Sequence, residues 1–276
     1  MPRLGQHFLK NPSVLKKIVG ALHGASNIIV EIGPGHGELT QAILGEMSKN
    51  GGSNKLIALE KDPALAEAFR KRFLNGAPLH ENPEARSATT VELVEGDALV
   101  TLKTLAAGNE SSSWMLVGNI PYYITGKLFR VISELPHKPE RAVFLIQEEV
   151  AERICAAPPE MNRLAASVQF WASPAIVARV PKEDFSPQPK INSAVIALAT
   201  KHSDPTVDAR CYYETVRALF SQPRKTIFNN IAAHNANSRE TIETLLKKVG
   251  VSPSLRPQNL TIEEIAAIAL ALFKKI

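Results

Sequence analysis

Short apolar runs rich in Val, Ile and Leu alternate with amphipathic stretches through the first half of the chain. NIIVEIG is followed by GELTQAILGEM, KLIALE by PALAEAFRKRFL, VELVEGD by LVTLKTLA, SWMLVGN by TGKLFRVISEL, and RAVFLIQ by EEVAERICAA. Five βα units in succession predict an α/β domain built on a mostly parallel sheet with helices on both faces. PAIVARV and SAVIALAT follow with no helix-length segment between them, so an antiparallel pair is expected at the far edge of the sheet. Beyond Thr200 the pattern turns helical: CYYETVRALF, PRKTIFNNIAAH, SRETIETLLKKVG and TIEEIAAIALALF, each opened or closed by Ser, Pro, Gly or Thr. With TKHSDPTVD as the linker, the expected division is an α/β domain over residues 1–202 and a small all-helical domain over 203–276. NGAPLHENPEARSATT and AGNESSS read as surface insertions.

Composition narrows the classes. At 276 residues and 45% hydrophobic, the chain can bury a substantial core. Its net charge of +5 hints at an anionic partner, a hint that gains weight only where basic residues cluster. No apolar run is long enough to span a bilayer. The opening MPRLGQHFLKNP lacks both a signal-peptide core and the long Arg/Ser-rich pattern of a transit peptide, so a cytoplasmic protein with no membrane association is expected. Cys155 and Cys211 lie far apart without CxxC spacing and the seven histidines form no HxxxH pair, so neither a disulfide frame nor a metal site is expected.

The chemistry concentrates at predicted strand ends. EIGPGHG places Gly33, Gly35 and Gly37 where the first βα strand turns into its helix, as GxGxG; a dinucleotide fingerprint would need its last glycine at the position of Glu38. An acid in that turn opposes a pyrophosphate, whereas S-adenosylmethionine carries no phosphate to repel. Glu60 ends the second strand, placed to accept from ribose hydroxyls, and Asp97 ends the third, where a short carboxylate can accept from an adenine amine. Either acid alone reads equally as a solvated loop residue. Their placement at successive ends of one sheet edge points to a nucleoside-cofactor site.

The fourth strand ends in NIPYYIT, Asn119 to Thr125. An amide with one acceptor and two donors, a rigid proline and a flat phenol ring suit a planar base bearing an amine; the bland alternative is a turn into a helix. An exocyclic adenine amine is a poor nucleophile because its lone pair is delocalised. The Asn119 side-chain oxygen and the Ile120 carbonyl could accept its two hydrogens and favour a tetrahedral nitrogen, with Pro121 fixing the turn. A base in a helix cannot reach such a site, so the target must be single-stranded or flipped, with stacking on Tyr122. Tyr123 reads as a packing residue.

The chain resembles the ribosomal RNA adenine dimethyltransferases through GQHFL, EIGPGHGELT, the acid of LEKD, GDAL, NIPYYIT, IQEEVAERI, FSPQPKINSAV, LFSQPRKTIFNN and RPQNLTIEEIA. GQHFL, IQEEVAER and the RPxxLTxEE tail resemble the small-subunit (16S rRNA) branch more than the large-subunit branch. The resemblance implies a class I, Rossmann-like methyltransferase domain over 1–202 and an RNA-contacting helical domain over 203–276. It implies that the enzyme dimethylates two adjacent adenines near the 3' end of 16S rRNA, acting as a monomer on that RNA or on a pre-assembled small subunit. It further implies that His7, Leu9, Gly33, Gly35, Glu60, Asp97 and Asn119 hold S-adenosylmethionine. Asn119, Ile120, Pro121 and Tyr122 would form the catalytic turn, with Phe185 as the second face of an adenine sandwich; Phe185 also reads as a core residue before a strand. Arg217, Arg224 and Lys225 would contact phosphates. Where the family commonly has two arginines before the lysine, this chain has Pro223 and Arg224 before Lys225, and PPEMNRLAASVQ replaces a segment that usually contains tyrosine and glycine; Arg163 offers a substitute contact. Lys247 and Lys248 read equally as a solvated helix face. Alternatives in play are a large-subunit or DNA adenine methyltransferase, and a non-catalytic assembly or transcription factor on the same scaffold.

Overall fold

A computed structural model of the chain describes residues 7–24, 26–50, 53–75, 89–108, 113–201, 206–234 and 238–273. Gly5 and Gln6 of GQHFL, most of the two expected insertions, the middle of the linker and the expected boundary at 202 and 203 lie outside the described residues.

The five predicted βα units are present in order: β2 (Ile28–Ile32), α2 (Glu38–Asn50), β3 (Asn54–Glu60), α3 (Pro63–Phe69), β4 (Thr89–Glu95), α4 (Ala98–Gly108), β5 (Met115–Asn119), α5 (Thr125–Glu134), β6 (Arg141–Gln147) and α6 (Glu148–Cys155). Together with β7 (Ala172–Val180) and β9 (Ser193–Thr200) they give a seven-stranded sheet in the order β4-β3-β2-β5-β6-β9-β7. Pairing is parallel from β4 to β6 and antiparallel between β6 and β9. Burial follows position in the sheet. Along β3, β5 and β6 nearly every residue is buried, as both faces are covered, while the edge strands β4 and β7 alternate.

The structure adds two features that the apolar pattern did not give, α1 (Pro12–Gly20) and a two-residue ribbon of β1 (Phe8–Leu9) with β8 (Phe185–Ser186). In the ribbon Phe8 pairs with Ser186 and Leu9 with Phe185, and the Lys10 amide donates to the Asp184 carbonyl at 2.8 Å. Local caps start the helices. The Asn11 side chain accepts from the Ser13 amide ahead of α1, and Asp62 accepts from the Ala64 amide ahead of α3, each with proline in the first turn.

The chain separates into two compact units, one of residues Met1–Ala151 with Pro174–Thr200 and the other of Glu152–Ser173 with Lys201–Ile276. The helical unit thus recruits a segment that the expected division assigned to the α/β domain. Packing explains the difference. This segment carries α7 (Arg163–Gln169), capped by Asn162, and Met161, Ala165 and Ala166 share a core with α8 (Ala209–Leu219). Phe170 stacks on Tyr212 at 3.8 Å, and the Tyr212 hydroxyl donates to the Ala166 carbonyl at 3.0 Å. The remaining helices, α9 (Ile227–Ala232), α10 (Arg239–Lys248) and α11 (Ile262–Phe273), fall where the pattern placed them. A reciprocal capping box opens α11: the Thr261 amide donates to Glu264, and the Glu264 amide to the Thr261 hydroxyl. Among the described residues no helix is long and apolar enough to cross a membrane.

Gly118 sets how closely β5 approaches β2. A Cβ there would lie 2.7 Å from the Ile32 carbonyl oxygen and 2.9 Å from Ile120 Cδ1, and a backbone oxygen cannot rotate away. Gly118→Ala is expected to lower the unfolding free energy by roughly 1–3 kcal/mol, read as a fall in the denaturant midpoint. An unchanged midpoint would show that the two strands part without cost.

Candidate active site

Parallel pairing brings the carboxyl ends of β2, β3, β4 and β5 to one edge of the sheet, and hydrogen bonds join neighbouring tips. The Gly33 amide donates to the Leu59 carbonyl at 2.9 Å, Gly96 to Glu60 at 2.8 Å and Ile120 to Leu145 at 3.0 Å. A cleft opens along this rim, with ≈ 890 Å³ of empty space including its mouth. Its lining includes His7, Gly33, Gly35, Glu60, Asp97, Asn119, Ile120, Pro121 and Tyr122. Nine of the residues expected at the site are therefore neighbours of one cavity.

Gly33 and Gly35 have φ of +64° and +59°, in the left-handed region that favours glycine. A Cβ on Gly33 would meet nothing within 4 Å, which leaves room for a ligand to approach the backbone. Gly35 has a second reason to be glycine: a Cβ would lie 2.8 Å from the Phe8 ring, which β1 sets against the turn.

Glu60 is buried at the tip of β3. Its Oε1 accepts from the Lys61 and Asp62 amides at 2.8 and 2.9 Å, and its Oε2 from the Gly35 amide at 3.3 Å. These bonds fix the carboxylate and leave lone pairs on Oε2 for a hydroxyl. Asp97 Oδ1 accepts from the Leu99 amide, and Oδ2 accepts from Lys61 Nζ at 2.9 Å. That ammonium holds the Asp97 carboxyl below its usual range, so the group is ionised and ready to accept from an amine. Two acids and an open glycine turn, with no phosphate to hold, suit the ribose, the base and the positive sulfonium of S-adenosylmethionine.

At the β5 tip the Asn119 Nδ2 donates to the His7 carbonyl at 2.7 Å. A carbonyl only accepts, so the amide nitrogen must face His7, and the Asn119 oxygen is left for the cleft. The His7 ring contacts the Pro187 carbonyl through Nδ1 at 2.7 Å, and lies 6.0 Å from the Tyr122 ring. Tyr122 is half-buried, and its hydroxyl meets the Ser193 hydroxyl at 2.9 Å.

Two expected site residues are elsewhere. Leu9 and Phe185 are both buried in the hydrophobic core of the α/β unit and do not line this cleft. Alternation along the β1–β8 ribbon explains why: the paired side chains of Leu9 and Phe185 turn into the core. Phe185 is buried, the placement that its reading as a core residue before a strand expects. Tyr123, expected to pack, is instead 59% exposed and lines the cleft with Lys61. Lys61, Tyr123 and Ser193 were missed. The first two had a signal, since each directly follows a residue already placed at a strand tip. Ser193 stands within FSPQPKINSAV, but nothing local to that motif named its partner, which is distant in sequence.

Arg163, Arg217, Arg224 and Lys225 are exposed residues of the helical unit, and none forms an ion pair among the described residues. Lys247 instead pairs with Glu243 at 2.8 Å along α10, which supports its solvated-face reading.

A mostly parallel sheet with a glycine turn, two acids and an amide at successive tips defines a class I methyltransferase. The chain belongs to the ribosomal RNA adenine dimethylase family, whose model matches residues 1–274. It is 32% identical over 97% of its length to a ribosomal RNA small subunit methyltransferase A of Dehalococcoides mccartyi, covering 86% of that protein. It is 34% identical over 99% of its length to the protein of that name in Chlorobaculum parvum, covering 88%. Among solved structures, a dimethyladenosine transferase from Plasmodium falciparum matches with a TM-score of 0.74 at 26% identity, over 95% of this chain and 96% of that one.

Behind the glycine turn, Glu31 is fully buried. Its Oε2 accepts from Thr40 at 2.7 Å, while its Oε1 has no partner among the described residues. Burial, with the charges of Glu60 and Glu38, pushes its pKa from 4.5 up to about 8 against the opposing Thr40 bond. Between those values the folded state keeps a proton that the unfolded state has lost, so stability falls as pH rises. Glu31→Gln removes this titration. The stability of the variant relative to wild type is expected to grow by roughly 3–4 kcal/mol from pH 5 to pH 8, measured by denaturant unfolding; a constant difference would contradict it.

Proposed function

We propose that this chain uses S-adenosylmethionine to dimethylate the exocyclic amine of two adjacent adenines near the 3' end of 16S rRNA. It does so as a cytoplasmic monomer acting on that RNA, free or within a pre-assembled small subunit. The observation that carries this reading is the Asn119 amide, held by the His7 carbonyl so that its oxygen is available in the cleft beside Tyr122.

Gly33, Glu60 and Asp97 would hold the cofactor, with His7 beside them. When bound, S-adenosylmethionine supplies an electrophilic methyl group on a sulfonium. The protein's task is to expose the amine lone pair. Asn119 Oδ1 and the Ile120 carbonyl accept the two amine hydrogens and draw the nitrogen toward tetrahedral geometry. Pro121, with φ −55° and ψ 132°, fixes the turn, and its carbonyl accepts from the Ile124 amide at the start of the following helix. No side-chain base is needed before transfer, because the nitrogen becomes acidic only as its charge develops; the proton then leaves to water. Tyr122 offers a face on which the extruded base can stack, a contact worth roughly 1–3 kcal/mol.

Undermethylated small subunits incubated with labelled cofactor test the reaction. Asn119→Ala should leave RNA affinity within about threefold, yet slow methyl transfer by about two orders of magnitude or more, because its contacts matter in the transition state. Retained turnover would refute the assigned role.

Arg163, Arg217, Arg224 and Lys225 supply unpaired charge for RNA phosphates. Replacing both Arg224 and Lys225 with alanine should weaken RNA binding and reduce the magnitude of the log-affinity versus log-salt slope by about 1 to 2, with nearly normal transfer at saturating RNA. An unchanged slope would assign the pair to a solvated face and direct attention to Arg163.

A further inference from the structure

We propose that Ser193 is a positioning residue for methyl transfer, holding in place the Tyr122 ring on which the target base stacks. The proposal rests on the reaction assigned above.

Ser193 begins β9, opposite Gln147 of β6, and is fully buried. The strand register therefore fixes the backbone that carries its hydroxyl. That hydroxyl meets the Tyr122 phenol at 2.9 Å, across 71 residues of sequence. Tyr122 stands in a short 3-10 turn just after Pro121, with no side-chain cap. A tyrosine side chain has three staggered χ1 wells, so backbone position alone does not set where its ring lies. A hydrogen bond at the para oxygen restrains the end of the ring farthest from the backbone. Burial keeps the phenol protonated by raising its pKa, so it retains both donor and acceptor capacity toward the serine.

The consequence follows from the geometry of the reaction. The amine must reach both the Asn119 oxygen and the Ile120 carbonyl, and a tilt of the stacked base moves it away from both. Misplacement of about 1 Å is enough to cost orders of magnitude in rate. Ser193 lies outside the residues lining the cleft, so its loss should spare cofactor binding and appear in the chemical step. Its contribution passes entirely through the Tyr122 oxygen, which a merely structural serine would not require.

The test compares Ser193→Ala, Tyr122→Phe and the double variant in the full chain. Single-turnover methyl transfer to small-subunit particles is measured with cofactor affinity by calorimetry. Stacking is read from the fluorescence quenching of a single-stranded RNA with 2-aminopurine at the target position. Each single variant should slow transfer by about tenfold, the worth of one hydrogen bond, and the double variant by no more than either single. Cofactor affinity should stay within about twofold, and quenching should fall equally in all three. Effects that multiply in the double variant, or a Ser193→Ala enzyme with wild-type rate and quenching, would overturn the proposal. Should Ser193→Ala fail to fold, Tyr122→Phe decides alone, and a wild-type rate there overturns it. A wild-type protein that leaves small-subunit particles unmethylated would instead refute the substrate assignment, while the quenching comparison still judges Ser193.

Discussion

Parallel pairing obliges consecutive strands to end on the same edge of a sheet, and everything at the candidate site depends on that constraint. Ile32 stands beside Leu59 on one side and Gly118 on the other, and Glu60 beside Glu95. The residues that leave each strand are therefore neighbours although many positions separate them in the chain. Crossover helices occupy the intervening sequence, so the tips gather turns rather than hairpins. The hydrogen bonds from Gly33, Gly96 and Ile120 to the adjacent strands then hold the rim level. Without that alignment a glycine turn, two acids and an amide would be four separate loop features.

The rim also shows how a buried environment divides labour among acids. Glu31 and Glu60 belong to adjacent strands and both are almost fully buried. Glu60 receives three backbone amides. Glu31 has the Thr40 hydroxyl and one unpartnered oxygen, and its pKa rises accordingly. Asp97, nearer to solvent, is kept ionised by Lys61. The ionised Asp97 faces the cleft, and the acid behind the turn is the one whose pKa burial raises. A positively charged cofactor thus meets carboxylates already fixed in place, which limits the reorganisation needed on binding.

The segments outside the βα repeat set the chemistry of the last tip. The β1–β8 ribbon presents the His7 carbonyl to Asn119, and the start of β9 presents the Ser193 hydroxyl to Tyr122. An asparagine oxygen and a phenol ring are common side-chain features. Their orientation makes them useful here, and it is supplied by partners 112 and 71 residues away.

Much of the architecture was legible in the sequence. The five βα units, the helical C-terminal segment and the residues at each strand tip follow from apolar periodicity and from the types of residue that end each run, because these are local properties. Side-chain direction was less accessible. Phe185 and Tyr123 are both aromatic residues beside strand or turn signals, yet the first is buried and the second exposed. Ribbon pairing settles Phe185, and the 3-10 turn after Pro121 settles Tyr123. The division of the chain was likewise decided by packing, as α7 lacks the length to show a clear period and finds its apolar partners on α8. The sequence by itself determined which chemical groups stand at the ends of the strands, since that depends on near neighbours. Only the tertiary structure decided where those groups point and which partners hold them, since a hydrogen bond or a packed ring depends on distance in space rather than along the chain.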